Sequence, residues 1–252
     1  MPRKNIRLIP LLATLGAITG ISSASAADLA ARPYTKAAVA PMAGVYSWTG
    51  FYIGAQVGWS EVRDSQVMAS PTLAPLALSS RADGVVGGGH VGYNLQTGQF
   101  VFGVEGDIEA NSASGSYLIP PPLVQPANGT QRLDWQGSVR GRLGLAVDRV
   151  LFYGTGGWAF GHFTDGYFTP GTPFNETVSS TRDGWTAGAG IEYAMASNWT
   201  VRAEYRYTDW GKHTNVLNTY LAPAGTSVDE VTEHTARIGI SYKFGGPVVA
   251  KY

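Results

Sequence analysis

The sequence has 252 residues, no cysteine, and 18 basic side chains balanced by 18 acidic ones. The lack of cysteine excludes disulfide bridges and thiolate metal sites, and the balanced charge argues against a nucleic-acid-binding surface. Glycine, at 33 residues, and aromatic side chains, at 12% of the chain, are abundant, whereas charged residues make up only 14%. This composition is more typical of a glycine-rich β protein than of a helical one.

The first 27 residues have the three parts of a secretory signal peptide. Three basic residues among the first seven precede an apolar run from Leu8 to about Ile21, and small residues then lead to Ala26. This arrangement predicts export, with cleavage after Ala26 or Ala27. A membrane anchor is disfavoured because the apolar run is short and is interrupted by Pro10 and two glycines.

Two further segments flank the domain that we predict at residues 48–244. Residues 28–47 are rich in alanine and proline and carry little charge, which predicts a periplasmic leader. Residues 245–252 are predicted to be a short tail. The chain after the signal peptide has no other apolar run long enough for a helical membrane span.

The predicted domain consists of eight segments in which apolar residues alternate with polar or small ones. In the first, every second residue from Phe51 to Trp59 is apolar. A period of two indicates β-strands with two unlike faces. Each segment is long enough to cross a bilayer as a tilted strand, which takes about 9–11 residues. The other seven lie near 83–95, 99–110, 132–146, 150–163, 183–194, 199–210 and 232–244.

The connections between these segments alternate between long and short. Tight turns are predicted at Gln96–Gln99, around Asp148–Arg149 and near Ala196–Asn198, while the other connections reach about twenty residues. Short periplasmic turns and long external loops are typical of outer-membrane barrels. The sequence therefore predicts an all-β fold, an eight-stranded antiparallel up-and-down transmembrane β-barrel.

Alternate positions divide each segment into an apolar face and a charged one. The apolar face, to which we assign Leu133 and Trp135, has many aromatic residues near the segment ends, as expected at membrane interfaces. The opposite face combines glycine with acidic and basic residues, which suits a narrow lumen in which charges pair. The predicted lumen charges are Glu105, Asp107, Glu109, Asp134, Arg140, Arg142, Glu192, Arg202, Glu204, Arg206, Arg237 and Lys243. The alternative is a soluble lipocalin-like barrel in which the charged face is outside and the apolar face forms the core. Segment 150–163 has no charge on either face, so its facing is left open.

The last segment carries a second pattern. Arg237, Gly239, Tyr242 and Phe244 have a polar, glycine, hydrophobic, aromatic spacing that resembles the assembly signal of outer-membrane barrels. We therefore expect the barrel-assembly machinery to recognise this strand.

Five blocks of the sequence, in order, carry a resemblance to a known family. They are WTGFYIGAQVGW, GGGHVGYNLQTGQFVFGVEGDIE, GSVRGRLGLAVDRVLFYGTGGWAFG, GWTAGAGIEYAMASNWTVRAEYRYTDWG and HTARIGISYKF. From Trp48 to Tyr252 the chain resembles the RopB-type outer-membrane proteins of alphaproteobacteria, relatives of the small OmpA/OmpX barrels. The resemblance implies a Gram-negative outer-membrane location with periplasmic termini, and contact with outer-membrane lipid and lipopolysaccharide. It also implies a role in envelope integrity and surface contact with a host or other ligands.

Four functions follow from these observations. The preferred one is a structural and surface-interaction barrel without a wide pore, a cofactor or catalysis, because eight strands leave little free lumen. The second is a narrow porin-like channel, in which the same charges line a thin water path. The third, implied by haemin-binding relatives, is surface haem binding by His213 and His234, which flank the last long connection. The fourth, an enzyme, would need Ser60 or Ser138 beside His90.

Overall fold

The structure, a computed structural model, describes residues 46–71, 73–120, 127–173, 175–217 and 225–245. The predicted signal peptide, nearly all of the leader and most of the tail lie outside these ranges. The strands are β1 (Gly50–Ser70), β2 (Leu73–Thr97), β3 (Phe100–Asn111), β4 (Ser114–Ile119), β5 (Ala127–Val147), β6 (Val150–Phe168), β7 (Asn175–Ala194), β8 (Trp199–Leu217) and β9 (Gly225–Lys243). Within the described ranges, no helix is long and apolar enough to cross a membrane.

The strands form one closed antiparallel ring with eight positions in its wall. β3 and β4, separated by two residues, both pair with β5 and together occupy one position. The ring closes where β1 pairs with β9, from Tyr52 opposite Lys243 to Ala69 opposite Thr226. Every other neighbour in the ring is the next strand along the chain. The predicted eight-stranded antiparallel barrel is thereby confirmed.

Most of the strands run further than the sequence pattern indicates. β1 and β2 stay paired from Gly50 opposite Asn94 to Ser70 opposite Leu73. A connection of about twenty residues was expected here, and that expectation is wrong. The barrel therefore has a turn end, which carries the short turns after β2, β5 and β7, and a loop end formed by the opposite strand ends.

A belt of exposed apolar side chains surrounds the half of the barrel next to the turn end. In β1 it runs from Phe51, 63% exposed, to Trp59, 52% exposed, and the outward residue after Trp59 is Glu61. Nine residues of tilted strand are about the length that crosses a bilayer core. Its outward aromatic residues include Phe51, Tyr93, Trp199, Tyr242 and Phe244 toward the turn-end border, and Trp135, Trp158, Trp185 and Tyr207 toward the other border. This lipid belt has the aromatic girdles of a membrane barrel, so Phe51 faces lipid.

A bulge in β5 changes the facing of two residues. The pairing of β5 with β6 shifts register between Leu133 and Trp135. Leu133, predicted to face outward, is buried inside the barrel. Asp134, predicted to belong to the lumen, is half-buried at the outer wall, 3.2 Å from Arg132, and accepts a hydrogen bond of 2.8 Å from Thr164. Both predictions are wrong because one extra residue in a strand reverses the alternation beyond it.

The facing of β6, which the sequence left open, is determined by its neighbours. Leu151 and Tyr153 point into the barrel, whereas Phe152 and Trp158 are about half exposed on its outside. Tyr153 stands directly opposite Gly190 on β7. A Cβ atom at position 190 would lie 2.5 Å from the Tyr153 hydroxyl oxygen. The inward glycine thus makes the space that the inward tyrosine fills.

Candidate functional site: the closed barrel interior

Three apolar layers divide the barrel interior into two polar compartments. The turn-end layer contains Trp48, Val101, Ala146, Leu151, Tyr153 and Ala194. The middle layer contains Val62, Ala82, Ala113, Leu133, Ala159, Phe163, Trp210 and Val231. The loop-end layer contains Met68, Ile119, Ala127 and Tyr167. We call the space between the first two layers the membrane compartment, and the space between the last two the loop-end compartment.

The turn-end layer closes the barrel with the residues that precede β1. Trp48 is only 1% exposed, and its backbone N–H donates to the Gln96 side-chain oxygen over 2.8 Å. The ring of Tyr46 meets that of Trp48 edge-on at 4.9 Å. Lys243, one of the predicted lumen charges, lies over the Tyr46 ring at 4.4 Å and donates to the Ser47 carbonyl. Lys243 therefore helps to hold this plug.

Arg140 lies at the centre of the membrane compartment and is 1% exposed. Its Nη2 atom is 2.6 Å from Glu105 Oε1 and 3.1 Å from Asp107 Oδ2, and its Nη1 atom is 2.9 Å from Glu204 Oε1. Buried charges are tolerated when they are paired and hydrogen-bonded. One guanidinium on β5 thus joins carboxylates from β3 and β8 across the lumen.

Further ion pairs extend from this centre to most of the wall. Arg206 contacts Asp107 at 3.1 Å and Glu109 at 2.8 Å, and Arg237 also reaches Glu109 at 2.8 Å. Two more pairs, Arg202 with Glu105 and Arg142 with Glu192, also belong to the set. The resulting ion-pair network contains Glu105, Asp107, Glu109, Glu192, Glu204, Arg140, Arg142, Arg202, Arg206 and Arg237. It brings together ten of the twelve predicted lumen charges, and Asp134 and Lys243 are the two that lie elsewhere.

Sequence reasoning missed several polar partners of the network. Tyr52 donates to Glu105 over 2.8 Å, and Gln56 donates to Glu109 over 2.5 Å. Glu233 is buried and accepts a hydrogen bond of 2.6 Å from Ser60. Its position, four residues before Arg237 on the same strand face, was a signal that could have identified it.

The loop-end compartment holds a second group of charges that was not predicted. Asp64, Asp165 and Asp229 are buried there with a single guanidinium, that of Arg182. Arg182 Nη2 is 2.8 Å from Asp165 Oδ2 and 3.6 Å from Asp229 Oδ2. These residues belong to segments that the sequence analysis assigned to connections, although each alternates with outward neighbours.

The acid–base properties of this compartment follow from burial and from its excess of acids. Burial, reinforced by the negative charges of Asp229 and Asp165, raises the pKa of Asp64 to about 7. Burial also raises the pKa of Asp165 to about 6, against the opposing effect of Arg182. Both carboxyl groups therefore titrate well above the usual range for aspartate, which is about 3.9.

The two histidines predicted to bind haem lie on opposite faces of the wall. His213 stands opposite Asp229 and shares its inward face. His234 faces outward, where its Nδ1 atom is 2.6 Å from the Tyr205 hydroxyl and its ring packs against Tyr207. Because the barrel wall separates them, the two side chains do not converge on one haem iron. The predicted haem pair is wrong.

The serines considered for catalysis are bonded to carboxylates. Ser60 donates to Glu233, and Ser138 donates to Asp107 over 2.5 Å. His90 instead lies 2.8 Å from the Ser241 hydroxyl. The geometry therefore offers no serine–histidine pair among these three residues.

Comparisons with known proteins match nearly the whole chain. The protein-family model described as outer membrane protein beta-barrel domain matches residues 13–244. A 31 kDa outer-membrane immunogenic protein of Brucella melitensis is 34% identical over 245 residues, which cover 93% of this chain and 98% of the relative. A 22 kDa outer membrane protein of Rhizobium leguminosarum bv. viciae is 31% identical over 236 residues, which cover 93% of this chain and 97% of that relative. Among solved structures, the outer membrane protein OprG from Pseudomonas aeruginosa has a TM-score of 0.49 at 14% identity, covering 77% of this chain and 97% of that one.

Proposed function

Since the chain belongs to the outer membrane protein β-barrel family, we propose that it is a closed structural barrel that supports the outer membrane and passes no solute. The observation that carries this proposal is the filled interior. Three apolar layers cross the lumen, and the space between the first two is occupied by the ion-pair network. An eight-stranded barrel is about wide enough for its own side chains.

A water path would have to pass through each apolar layer in turn. Trp48 in the turn-end layer and Trp210 in the middle layer are both 1% exposed, and Arg140 between them is equally buried. Apolar layers without polar partners exclude water, because a buried water needs two to four hydrogen bonds. These layers support the closed barrel over the alternative of a narrow channel, whose water path would be interrupted at each of them.

We expect the purified barrel to show no steady conductance steps in planar lipid bilayers, because its lumen is closed at three levels. Heat-modifiable gel mobility of the same preparation would demonstrate that the inserted protein is folded. Steady openings that change when Glu204 is replaced by glutamine would contradict the closed barrel and support the channel.

The orientation of the barrel is the second part of the proposal. Trp48 and Phe244 both lie at the turn end, where Phe244 donates its backbone N–H to the Phe51 carbonyl. Outer-membrane barrels keep short turns in the periplasm and extend their long connections outward. Beyond the lipid belt, β1 continues from Glu61 to Ser70. We propose that this extension of the wall stands outside the cell and carries the surface contacts, as the name of the immunogenic relative suggests.

An epitope tag inserted after Gly171, in the turn between β6 and β7, is expected to bind antibody on intact cells. Gly171 lies in an exposed turn, and a side chain there would meet no atom within 4 Å. A tag after Tyr252 should be labelled only after lysis. Labelling of the C-terminal tag on intact cells would reverse the orientation.

A further inference from the structure

The loop-end compartment has a larger imbalance of charge than the membrane compartment. In the membrane compartment six buried acids, Glu233 included, face five guanidinium groups. In the loop-end compartment, Asp64, Asp165 and Asp229 share the single guanidinium of Arg182. The middle and loop-end layers close this compartment on both sides. Three buried carboxylates are thus held away from water with one countercharge.

The carboxylates of Asp229 and Asp64 differ in the number of hydrogen bonds that they accept. Asp229 accepts hydrogen bonds from Ser227 at 2.6 Å, Asn215 at 2.8 Å and Gln66 at 2.9 Å. Asp64 receives one bond, of 3.0 Å from the Gln131 amide, through its Oδ2 atom. Its Oδ1 atom is buried without a donor, and so is the Oε1 atom of Gln66. Asp64 and Gln66 point inward from the same face of β1, two residues apart.

An ionised carboxylate oxygen that is buried without a donor, as Asp64 Oδ1 would be, has an uncompensated cost of burial, and protonation removes the charge. A protonated carboxylic acid has one O–H donor, which an ionised one lacks. We propose that Asp64 binds a proton inside the folded barrel at neutral pH, and that this proton holds the loop-end compartment together. Because an exposed Asp64 gives up this proton at a lower pH than the buried one does, the part of the wall beyond the lipid belt opens more easily as the pH rises toward neutral.

The other groups around the compartment do not remove the imbalance. The inward groups from each wall position are Asp64 and Gln66 of β1, Ser80 of β2, Tyr117 of β4, Gln131 of β5, Asp165 and Tyr167 of β6, Glu176 and Arg182 of β7, Asn215 and His213 of β8, and Ser227 and Asp229 of β9. Burial and the nearby guanidinium of Arg182 lower the pKa of His213, which keeps it neutral at neutral pH. Burial raises the pKa of Tyr117 and Tyr167, so both stay neutral as well.

The direction of the pH effect follows from the raised pKa. Asp64 has a pKa of about 7 in the folded barrel, compared with about 3.9 in an unfolded chain. Below pH 4 the proton is bound in both states, and Asp64 does not weaken the compartment. Between about pH 4 and pH 7 the unfolded state loses the proton first, so the stability of the compartment falls as the pH rises and stays at the lower level above pH 7.

A proton fits this geometry better than a metal ion. Among the residues that the structure describes, no group of three histidine, aspartate or glutamate side chains is placed to hold a metal. Arg182 already lies between Asp165 and Asp229. A cation would have to compete with that guanidinium, whereas a proton on Asp64 would not.

The test measures hydrogen exchange, read by mass spectrometry, of the full-length barrel in lipid vesicles at pH 5 and pH 8 with chelator present. After correction for intrinsic exchange, the opening constant of the outer part of β1, residues 61–70, should rise between these pH values, and titration of Asp64 should contribute a factor of about 50 to 100 to that rise. Asp64→Asn keeps a side-chain donor but cannot titrate, and should leave only the share of Asp165, a rise of about tenfold or less. Asp83→Asn, an exposed aspartate on β2, is the matched control and should keep the wild-type rise.

Infrared spectroscopy gives a direct second readout. At pH 6 the wild-type barrel with ¹³C-labelled aspartate should show the carbonyl band of a protonated carboxylic acid, and Asp64→Asn should lose most of it. If that variant does not fold, titration of the band in the wild type near pH 7 decides. A pH-independent opening constant, an unchanged rise in Asp64→Asn, the absence of the band, or a rise seen only without chelator overturns the proposal. None of these results depends on whether the barrel conducts.

Discussion

Replacing Arg140 with leucine is expected to destabilise the folded barrel by about 3–5 kcal/mol, the usual cost of removing one partner of a buried ion pair. Arg140 is 1% exposed and lies within 3.1 Å of Glu105, Asp107 and Glu204. Without the guanidinium these three carboxylates are left with fewer countercharges in a space closed to water. The free energy of unfolding can be measured in lipid vesicles by urea titration, with gel mobility reporting the folded fraction.

The matched control lies on the same strand. Arg132 has a side chain that is 63% exposed and a partner, Asp134, at 3.2 Å on the outer wall. Exposed ion pairs contribute about 0–1 kcal/mol, so Arg132→Leu should change the unfolding free energy by no more than that. Equal losses for the two leucine variants would mean that Arg140 is accessible to water, and would contradict a closed membrane compartment.

The ion-pair network could be predicted from the sequence because the inward and outward faces of the wall differ most in polarity within the lipid belt. In β8, Arg202, Glu204 and Arg206 alternate with Val201 and Ala203. Lipid excludes charge from one face, and the crowded lumen requires pairing on the other. A one-residue slip would put guanidinium groups into lipid. The facing of such a strand can therefore be derived from alternation alone.

The loop-end compartment could not be found in the same way. In β1, the inward residues Asp64 and Gln66 alternate with Arg63 and Ser65, so both faces are polar. Water replaces lipid outside the wall at this height, and the contrast between the faces disappears. Polar residues with Pro71 nearby then resemble a connection, although the backbone pairing continues to Ser70.

Three other features are set by tertiary structure. The bulge beside Leu133 reverses the facing of the residues before it, and periodicity cannot show where an extra residue is accommodated. Trp48 precedes the first strand and gains its role only when the barrel mouth closes around it. In β6 the inward residue Tyr153 carries no charge, so the sequence pattern does not show which face of the strand points inward. The facing of β6 becomes evident only from the glycine that stands opposite Tyr153.

Val104→Arg is expected to destabilise the barrel in lipid vesicles by about 2–4 kcal/mol, the cost of an arginine on the lipid face near the bilayer midplane. Val104 lies on β3 near the middle of the lipid belt, is 62% exposed, and stands opposite Tyr93 and Gly141. No lumen contact is lost, because the side chain points away from the interior. The same urea titration measures the loss.

Val67→Arg is the matched control, because Val67 also faces outward and is 44% exposed, on β1. It lies beyond Glu61, outside the lipid belt, between Ala77 and Val228 on the neighbouring strands. An arginine there meets water, so a change within about 0.5 kcal/mol is expected, as for ordinary surface substitutions. If both arginines cost the same 2–4 kcal/mol, lipid reaches the loop end and the border at Glu61 is wrong. If neither arginine variant lowers the free energy of unfolding, the apolar outer face does not contact lipid at all.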